Sequence, residues 1–364
     1  MLRRLFVWSS LAMSLAISGA IMGAMSSACR VASESRQGDP RSVAPMPSGV
    51  LRSDDAGVIA VAPAPLERAV RPPLDVSEVK DCEPPGFPSP SAVRGDYDVV
   101  YSSPGGRPQR LDVVTPSSKA SKASNGPYPL VVMIHGGAWI GGDRLYHRDD
   151  LLKLAGQGYV AATIDYRLAG LPKNAFPADL SDARCAVRFL RAHAAQYDID
   201  PTRVAAIGDS AGGHIAAMLA VASDVPDDGT CAITSESSSL TSAVIDYAPL
   251  DLRASKRYPP SIQQAVRYLV GGDPLENAEK TSLASPITHV DAGDPPMLII
   301  HGAADHVVPV EDSREFAAAL ASAHVPSLYV ELAGMQHGFL VLGSGGILRR
   351  STCTTMAFLA RTLK

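Results

Sequence analysis

The sequence predicts an α/β protein built on a doubly wound, eight-stranded, mostly parallel sheet with helices on both faces. Short apolar runs alternate with helical patterns from residue 96 onward, which is typical of this class. Some runs are continuously apolar, as in LVVMIH at Leu130–His135, and such runs are expected of strands buried on both faces. The chain has 364 residues and is 46% hydrophobic, so it can bury a sizeable core.

The strands and helices follow in order along the chain. The predicted strands are Asp96–Ser102, Arg110–Thr115, Leu130–His135, Tyr159–Asp165, Arg203–Gly208, Ala243–Tyr247, Met297–His301 and Leu328–Leu332. The first two are expected to form a hairpin, and the others to run parallel. The predicted helices are Asp150–Gln157, Leu180–Ala195, Ala211–Ala222, Val310–Ala321 and Ile347–Leu363. Asp200-Pro201 is expected to break the chain before the fifth strand.

The N-terminus predicts an export signal over residues 1–28. Arg3 and Arg4 precede an uncharged, largely apolar stretch that ends in small residues before Cys29. An uncleaved membrane anchor is the alternative, because about 20 apolar residues can span a bilayer. The small residues before Cys29 also resemble a bacterial lipoprotein box, although Ser26 stands where an aliphatic residue is usual. We therefore expect an exported protein, either lipid-anchored at Cys29 and so attached to a membrane, or secreted or periplasmic.

Residues 29–94 are predicted to be a flexible, proline-rich tether. Eleven prolines lie in this segment, and prolines at this density deny helix and sheet their backbone donors. Residues 95–364 are then expected to form one folded domain. Within that domain, residues 250–296 are expected to form a short cap that contains a helix over Ser261–Val270.

Four further cysteines, Cys82, Cys185, Cys231 and Cys353, leave the pairing open. In an oxidising compartment they allow two disulfides in three connectivities. A buried free thiol is the alternative for Cys185, which lies in an apolar helical pattern. Cys82 is a candidate to attach the end of the tether to the folded domain.

Charge and residue spacing exclude several functions. The formal net charge is −4, with no excess of lysine and arginine to attract a phosphate backbone, so no nucleic-acid partner is expected. Heptads, fixed-period repeats and metal-binding spacings of cysteine and histidine are missing from the sequence, so we expect no coiled coil, solenoid or zinc ribbon.

A nucleophile is indicated where the fifth strand ends. Gly208-Asp209-Ser210-Ala211-Gly212 reads G-x-S-x-G between a predicted strand and a predicted helix. The motif is weak alone, but at such a junction it is typical of a strained turn that exposes a nucleophilic serine. The helix N-terminus that follows favours developing negative charge.

A serine hydroxyl needs a base, and the base needs a carboxylate. His337 follows the last strand, where a loop can reach back over the sheet. Asp305 lies just beyond the seventh strand and precedes His337 in the chain. The alternatives are less well placed: His135, His214 and His301 for the base, Asp294 and Asp312 for the carboxylate.

Backbone donors are predicted where the third strand ends. Glycines in His135-Gly136-Gly137-Ala138-Trp139 allow the chain to bend so that N–H groups face the reaction centre. The N–H groups of Gly137, Ala138 and Ala211 would together stabilise an oxyanion.

Several motifs in order resemble a known family. They are HGGAW at His135–Trp139, DYR at Asp165–Arg167, GDSAGGH at Gly208–His214, HGAADHVVP at His301–Pro309 and GMQHGF at Gly334–Phe339. Over residues 95–364 the chain resembles the esterase/lipase α/β-hydrolases, in the branch of hormone-sensitive lipase and the small BD-FAE-like feruloyl and acetyl esterases. Two positions depart from that pattern, Ala138 in place of a third glycine and Ala169-Gly170 after DYRL.

The resemblance implies the α/β-hydrolase fold and a serine carboxylesterase. It implies a triad of Ser210, Asp305 and His337, and oxyanion donors at Gly137, Ala138 and Ala211, with no metal or cofactor. The short cap favours small or short-chain esters as substrates. An arylformamidase or peptidase on the same fold, or a non-catalytic surface protein, remains an alternative. Acyl length, alcohol group and oligomeric state stay open.

Overall fold

The computed structural model describes residues 50–52, 58–61, 82–117, 126–339, 342–343 and 346–364. The predicted signal peptide and Cys29 lie outside the described residues. Among the residues that are described, no helix is both long enough and apolar enough to span a membrane.

The central sheet confirms the predicted fold class. The described strands are β1 (Val50–Arg52), β2 (Val58–Val61), β3 (Val93–Ser102), β4 (Gln109–Pro116), β5 (Tyr128–Ile134), β6 (Val160–Ile164), β7 (Ile199–Asp209), β8 (Ser242–Asp246), β9 (Met297–Gly302) and β10 (Ser327–Leu332). Their order in the sheet is β1-β2-β10-β9-β8-β7-β5-β6-β4-β3. β10, β9, β8, β7, β5 and β6 run parallel, and β3 and β4 form the predicted antiparallel hairpin at one edge.

Helices cover both faces of the sheet. They are α1 (Arg148–Gly156), α2 (Ala178–Ala192), α3 (Ala194–Tyr197), α4 (Ala211–Val221), α5 (Pro260–Val270), α6 (Ala278–Leu283), α7 (Glu311–Ser322) and α8 (Gly346–Leu363). The core of one face includes apolar residues of α2, α4 and α7, and that of the other includes residues of α1 and α8. Every residue of β5 is buried, with Val132 facing one core and Val131 the other, which explains its continuous apolar run.

Two features of the sheet differ from the prediction. β1 and β2 lie within the segment predicted as a tether, and β2 pairs antiparallel with β10 at the sheet edge. These strands have only three and four residues and lie among prolines, so no periodic pattern marks them. The expected break at Asp200-Pro201 is wrong, because β7 begins at Ile199. Pro201 falls at the irregularity between two register positions of β5 and β7, where a missing donor is tolerated.

Two disulfides, Cys82–Cys353 and Cys185–Cys231, settle the pairing that the sequence left open. The alternative of a free thiol at Cys185 is therefore wrong. Cys82 is joined to α8, and the Nε of Arg349 on the same helix donates to the Cys82 carbonyl at 2.9 Å. The far end of the proline-rich segment is thus fixed to the folded chain.

The predicted cap segment follows β8. It contains the helix expected there, α5, together with α6 and two short 3-10 turns. Tyr258 and Leu269 are buried, and the Tyr258 hydroxyl donates to Asp312 at 2.5 Å. These two side chains brace the cap against the domain.

Candidate active site

Ser210 lies at the tight turn between β7 and α4. Its backbone has φ 51° and ψ −118°, a strained conformation that persists only where the surrounding structure enforces it. The Ser210 amide donates to the Asp246 carbonyl at 2.8 Å, which ties the turn to β8. Gly212 is required because a Cβ at that position would collide with the carbonyl oxygen of Ile134 on β5. The G-x-S-x-G pattern therefore forms a strand-turn-helix bend with Ser210 at its apex.

Ser210, His337 and Asp305 are in contact through hydrogen bonds. Ser210 Oγ lies 2.9 Å from His337 Nε2, and His337 Nδ1 lies 2.7 Å from Asp305 Oδ2. The three residues follow β7, β10 and β9, so the carboxyl ends of parallel strands bring them to one edge of the sheet. This geometry allows the hydroxyl proton to pass to Nε2 while the carboxylate holds the Nδ1–H.

The Asp305 carboxylate is held from several sides. Its Oδ1 accepts from the amides of Val307 at 2.8 Å and Val308 at 2.9 Å, and its Oδ2 lies 3.3 Å from His301 Nε2. Burial alone raises the pKa of Asp305, but the interactions with His301 and His337 outweigh it and hold this pKa well below its usual range. Asp305 is therefore ionised at neutral pH, as the partner of an imidazolium must be.

The candidate oxyanion donors lie in two adjoining segments. Gly137 has φ 120°, and a Cβ there would collide with the Gly141 carbonyl oxygen. Ala138 has φ 51°, so it adopts the turn without the third glycine of the family pattern. Ala211 is the first residue of α4, where an N–H has no partner within the helix.

The other candidate histidines have different partners. His214 Nδ1 accepts from Trp139 Nε1 at 3.1 Å, and its Nε2 donates to the Ala284 carbonyl at 2.7 Å. Burial lowers the pKa of His214 to about 4, so it stays neutral. His135 stacks on Tyr166 with ring centroids 4.4 Å apart. His301 lies 2.7 Å from Ser313 Oγ, so it orders the turn that carries Asp305.

The alternative carboxylates have partners other than His337. Asp312 Oδ2 accepts from the Leu250 amide at 3.0 Å and from Tyr258, and it supports the cap. Asp294 Oδ2 accepts from the Asp291 amide at 2.9 Å, in the turn before β9.

A second histidine–carboxylate pair adjoins the serine turn, and no motif indicated it. His147 Nε2 lies 2.8 Å from Oδ1 of Asp209, the residue before Ser210. The Tyr247 hydroxyl donates to Asp209 Oδ2 at 3.3 Å, and its ring lies edge-on to His337 with centroids 4.8 Å apart. The only sequence signal was the position of Asp209 inside the G-x-S-x-G pattern.

A cavity of about 680 Å³ opens beside the segment that carries Gly137, lined in part by Gln109, His135 and Lys173. A larger cavity of about 890 Å³ lies at the amino ends of the strands, where Thr241 precedes β8 and Pro296 precedes β9. Among the described residues, no group of three or more histidine, cysteine, aspartate or glutamate side chains is arranged to hold a metal ion.

Comparison with known protein families identifies the family of this chain. The BD-FAE family model matches residues 111–320, which is more than half of the chain and includes Ser210 and Asp305. The chain belongs to the BD-FAE family. His337 lies beyond the matched segment, so its assignment depends on the contacts described above.

Curated relatives of this BD-FAE chain include esterases. It is 31% identical over 255 residues to the probable carboxylic ester hydrolase LipM of Mycobacterium tuberculosis, with 68% of this chain and 57% of LipM covered. It is 32% identical to the esterase LipC of the same organism, with 59% of this chain and 54% of LipC covered. The chain thus spans only about half the length of these relatives.

Solved structures agree with the fold. Esterase 2 of the planctomycete Thermogutta terrifontis, solved with propionate bound, is 28% identical to the BD-FAE chain at a TM-score of 0.60. The match covers 75% of this chain and 95% of that one. The sheet, its helices and these neighbours establish the α/β-hydrolase fold.

Proposed function

We propose that this protein is a serine carboxylesterase that hydrolyses small or short-chain carboxylic esters. One observation carries the proposal: a continuous hydrogen-bonded chain from Ser210 through His337 to the ionised Asp305, at 2.9 Å and 2.7 Å. Membership of the BD-FAE family and relatives named as carboxylic ester hydrolases support the same activity.

The reaction proceeds in two halves through an acyl-enzyme. His337 Nε2 takes the Ser210 proton as Oγ attacks the ester carbonyl, and the N–H groups of Gly137, Ala138 and Ala211 stabilise the oxyanion. The imidazolium, held by Asp305, then protonates the leaving alcohol. In the second half, His337 takes a proton from water, the hydroxide attacks the acyl carbon, and the acid leaves as Ser210 regains its proton.

The short-chain preference is supported by the cap and by a neighbour. The cap consists of two helices and two short turns, and its buried Tyr258 and Leu269 brace it rather than widen a channel. The Thermogutta terrifontis esterase has been solved with propionate and with butyrate, both short acids. We therefore propose acyl groups of a few carbons.

Replacement of the nucleophile tests the activity. Wild-type protein is expected to hydrolyse p-nitrophenyl acetate and butyrate, and Ser210→Ala is expected to reduce kcat by about 10⁴-fold or more, because no other group can form the acyl-enzyme. Ser239→Ala, which changes an exposed serine distant from the triad, is the matched control and keeps wild-type rates.

Two results would overturn the esterase proposal. One is a folded wild-type protein that is inert toward short acyl esters. The other is a Ser210→Ala variant that stays active. Faster turnover of an N-formylarylamine or a peptide amide than of any ester would favour the arylformamidase or peptidase alternative instead.

We propose further that the protein is exported, and is either lipid-anchored at Cys29 or secreted or periplasmic. The charged and apolar pattern of residues 1–28 supports export. The two disulfides support it independently, because disulfides persist in oxidising compartments.

Fractionation and mass spectrometry of the expressed full chain test this localisation. We expect a mature protein that begins at Cys29, with a diacylglyceryl group if it is anchored and without one if it is free. A full-length chain that retains residues 1–28 in the cytoplasm would contradict export.

A further inference from the structure

His147 is a buried histidine held between two carboxylates. It is 1% exposed, its Nε2 lies 2.8 Å from Asp209 Oδ1, and its Nδ1 lies 3.3 Å from Asp150 Oδ2. A carboxylate accepts only, so each ring nitrogen must donate, and a histidine that donates from both nitrogens is an imidazolium. His147 is therefore a buried cation rather than a candidate base.

Asp209 connects this cation to the catalytic groups. Its Oδ1 also accepts from the Gly136 amide at 3.1 Å, and Gly136 begins the oxyanion loop, defined here as residues 136–142. Its Oδ2 lies 3.3 Å from the Tyr247 hydroxyl, whose single proton is shared with the Phe339 carbonyl at 3.0 Å, two residues after His337. The Asp209 carboxylate thus contacts the oxyanion loop directly and, through Tyr247, the loop that carries His337.

We propose that His147 is a positioning residue of the oxyanion loop, which holds the Asp209 carboxylate against the Gly136 amide and so fixes the Gly137 and Ala138 donors. The inference rests on the proposed ester hydrolysis. His147 makes no contact with the triad among the described residues, and it acts through Asp209.

The groups around His147 determine the pH at which it loses its charge. Burial alone lowers the pKa of His147, but the bonds to Asp150 and Asp209 outweigh burial and raise it to about 9. The titratable groups that face it from neighbouring elements are Asp150 and Lys153 of α1, Asp209 of β7, Asp246 and Tyr247 at the end of β8, and His135 after β5. A neutral His147 donates from one nitrogen only, so one of its two bonds, to Asp150 or to Asp209, is then lost.

The effect on the reaction follows from what the oxyanion loop does. Loss of one oxyanion donor typically lowers kcat by about 10²–10³-fold. A loop that is displaced but still present should cost less, about tenfold or more in kcat. Because the loop stabilises charge that forms in the transition state, KM should change by less than about threefold.

Three variants of the full-length chain test the proposal, with p-nitrophenyl butyrate as substrate. His147→Ala is expected to lower kcat about tenfold or more at pH 7.5 with KM nearly unchanged. His147→Gln keeps a neutral donor to Asp209 and is expected to restore kcat to within about threefold of wild type. His193→Gln is the matched control, since His193 is partly buried and bonds the Phe189 carbonyl on a different surface.

The pH profile separates positioning from simple destabilisation. A neutral His147 can still donate to Asp209, as the glutamine does, so wild-type kcat should fall by no more than about threefold, to the level of His147→Gln, as pH rises past about 9. The fall should be missing from His147→Gln. Unchanged kcat in folded His147→Ala, or the same alkaline fall in His147→Gln, would overturn the proposal. Inactive wild-type protein would instead overturn the proposed esterase function, so the two failures are distinguishable.

Discussion

Two histidine–aspartate pairs flank the serine turn, and they differ in what the second ring nitrogen meets. In the pair His337–Asp305, one nitrogen faces the carboxylate and the other faces the Ser210 hydroxyl, and the imidazole is 13% exposed. In the pair His147–Asp209, the second nitrogen faces another carboxylate, Asp150, and the ring is 1% exposed.

The difference shows how one residue type supports two tasks. An imidazole with a single carboxylate keeps one nitrogen available to accept and return a proton. An imidazole between two carboxylates is held in its charged form and cannot act as a base near neutral pH. The number of carboxylates around the ring, not the histidine itself, separates the proposed proton carrier, His337, from the proposed structural cation, His147.

The largest expected effect comes from breaking the first pair with Asp305→Asn. An amide at this position can donate to Nδ1, which leaves the proton on Nε2 and prevents that nitrogen from accepting from Ser210. We expect kcat for p-nitrophenyl butyrate to fall by about 10⁴-fold with the fold intact. Steady-state kinetics with circular dichroism of the same samples measures both.

The matched change at the second pair is Asp150→Asn. It leaves the contact between His147 and Asp209 in place, so kcat should fall by less than about tenfold. Equal losses in the two variants would contradict the division of tasks between the pairs, because both carboxylates would then serve the same step.

The fold was predictable because burial leaves a mark on the sequence. β5 is buried on both faces and reads as an unbroken apolar run, and the other predicted strands are likewise visible as apolar or alternating segments. β1 and β2 left no such mark, since a strand of three or four residues is too short for a period to show. Pro201 misled the prediction because a proline is tolerated where a strand is irregular.

The candidate triad was predictable because each member directly follows a strand. Parallel strands align their carboxyl ends, so position along the chain translates into proximity for Ser210, Asp305 and His337. The second pair was not predictable in this way. His147 lies in a turn before α1, 62 residues from Asp209, and only the packed fold brings the two together. A contact of that kind depends on side-chain direction, which neither period nor motif encodes.

The smallest expected effect is on stability: the free energy of unfolding should depend on pH through His147. This dependence tests the comparison of the two histidine–aspartate pairs and leaves kcat at pH 7 unchanged. The pKa of His147 is raised from 6.5 to about 9 in the folded state, so its stabilising contribution is complete below about pH 6.5. It is lost as pH rises through about 9, and it amounts to about 3 kcal/mol at most.

Urea unfolding of wild type and His147→Gln from pH 6 to 9.5, with both disulfides intact, measures this contribution. The free energy of unfolding of wild type should fall toward that of the variant across this range, because only wild type releases the extra proton. Burial also raises the pKa of Asp179, to about 7, but that carboxyl titrates in both proteins and cancels in the difference. If the free energies of unfolding of wild type and variant change in parallel with pH, His147 carries no extra charge in the folded state. The two histidine–aspartate pairs would then differ only in the solvent exposure of their rings.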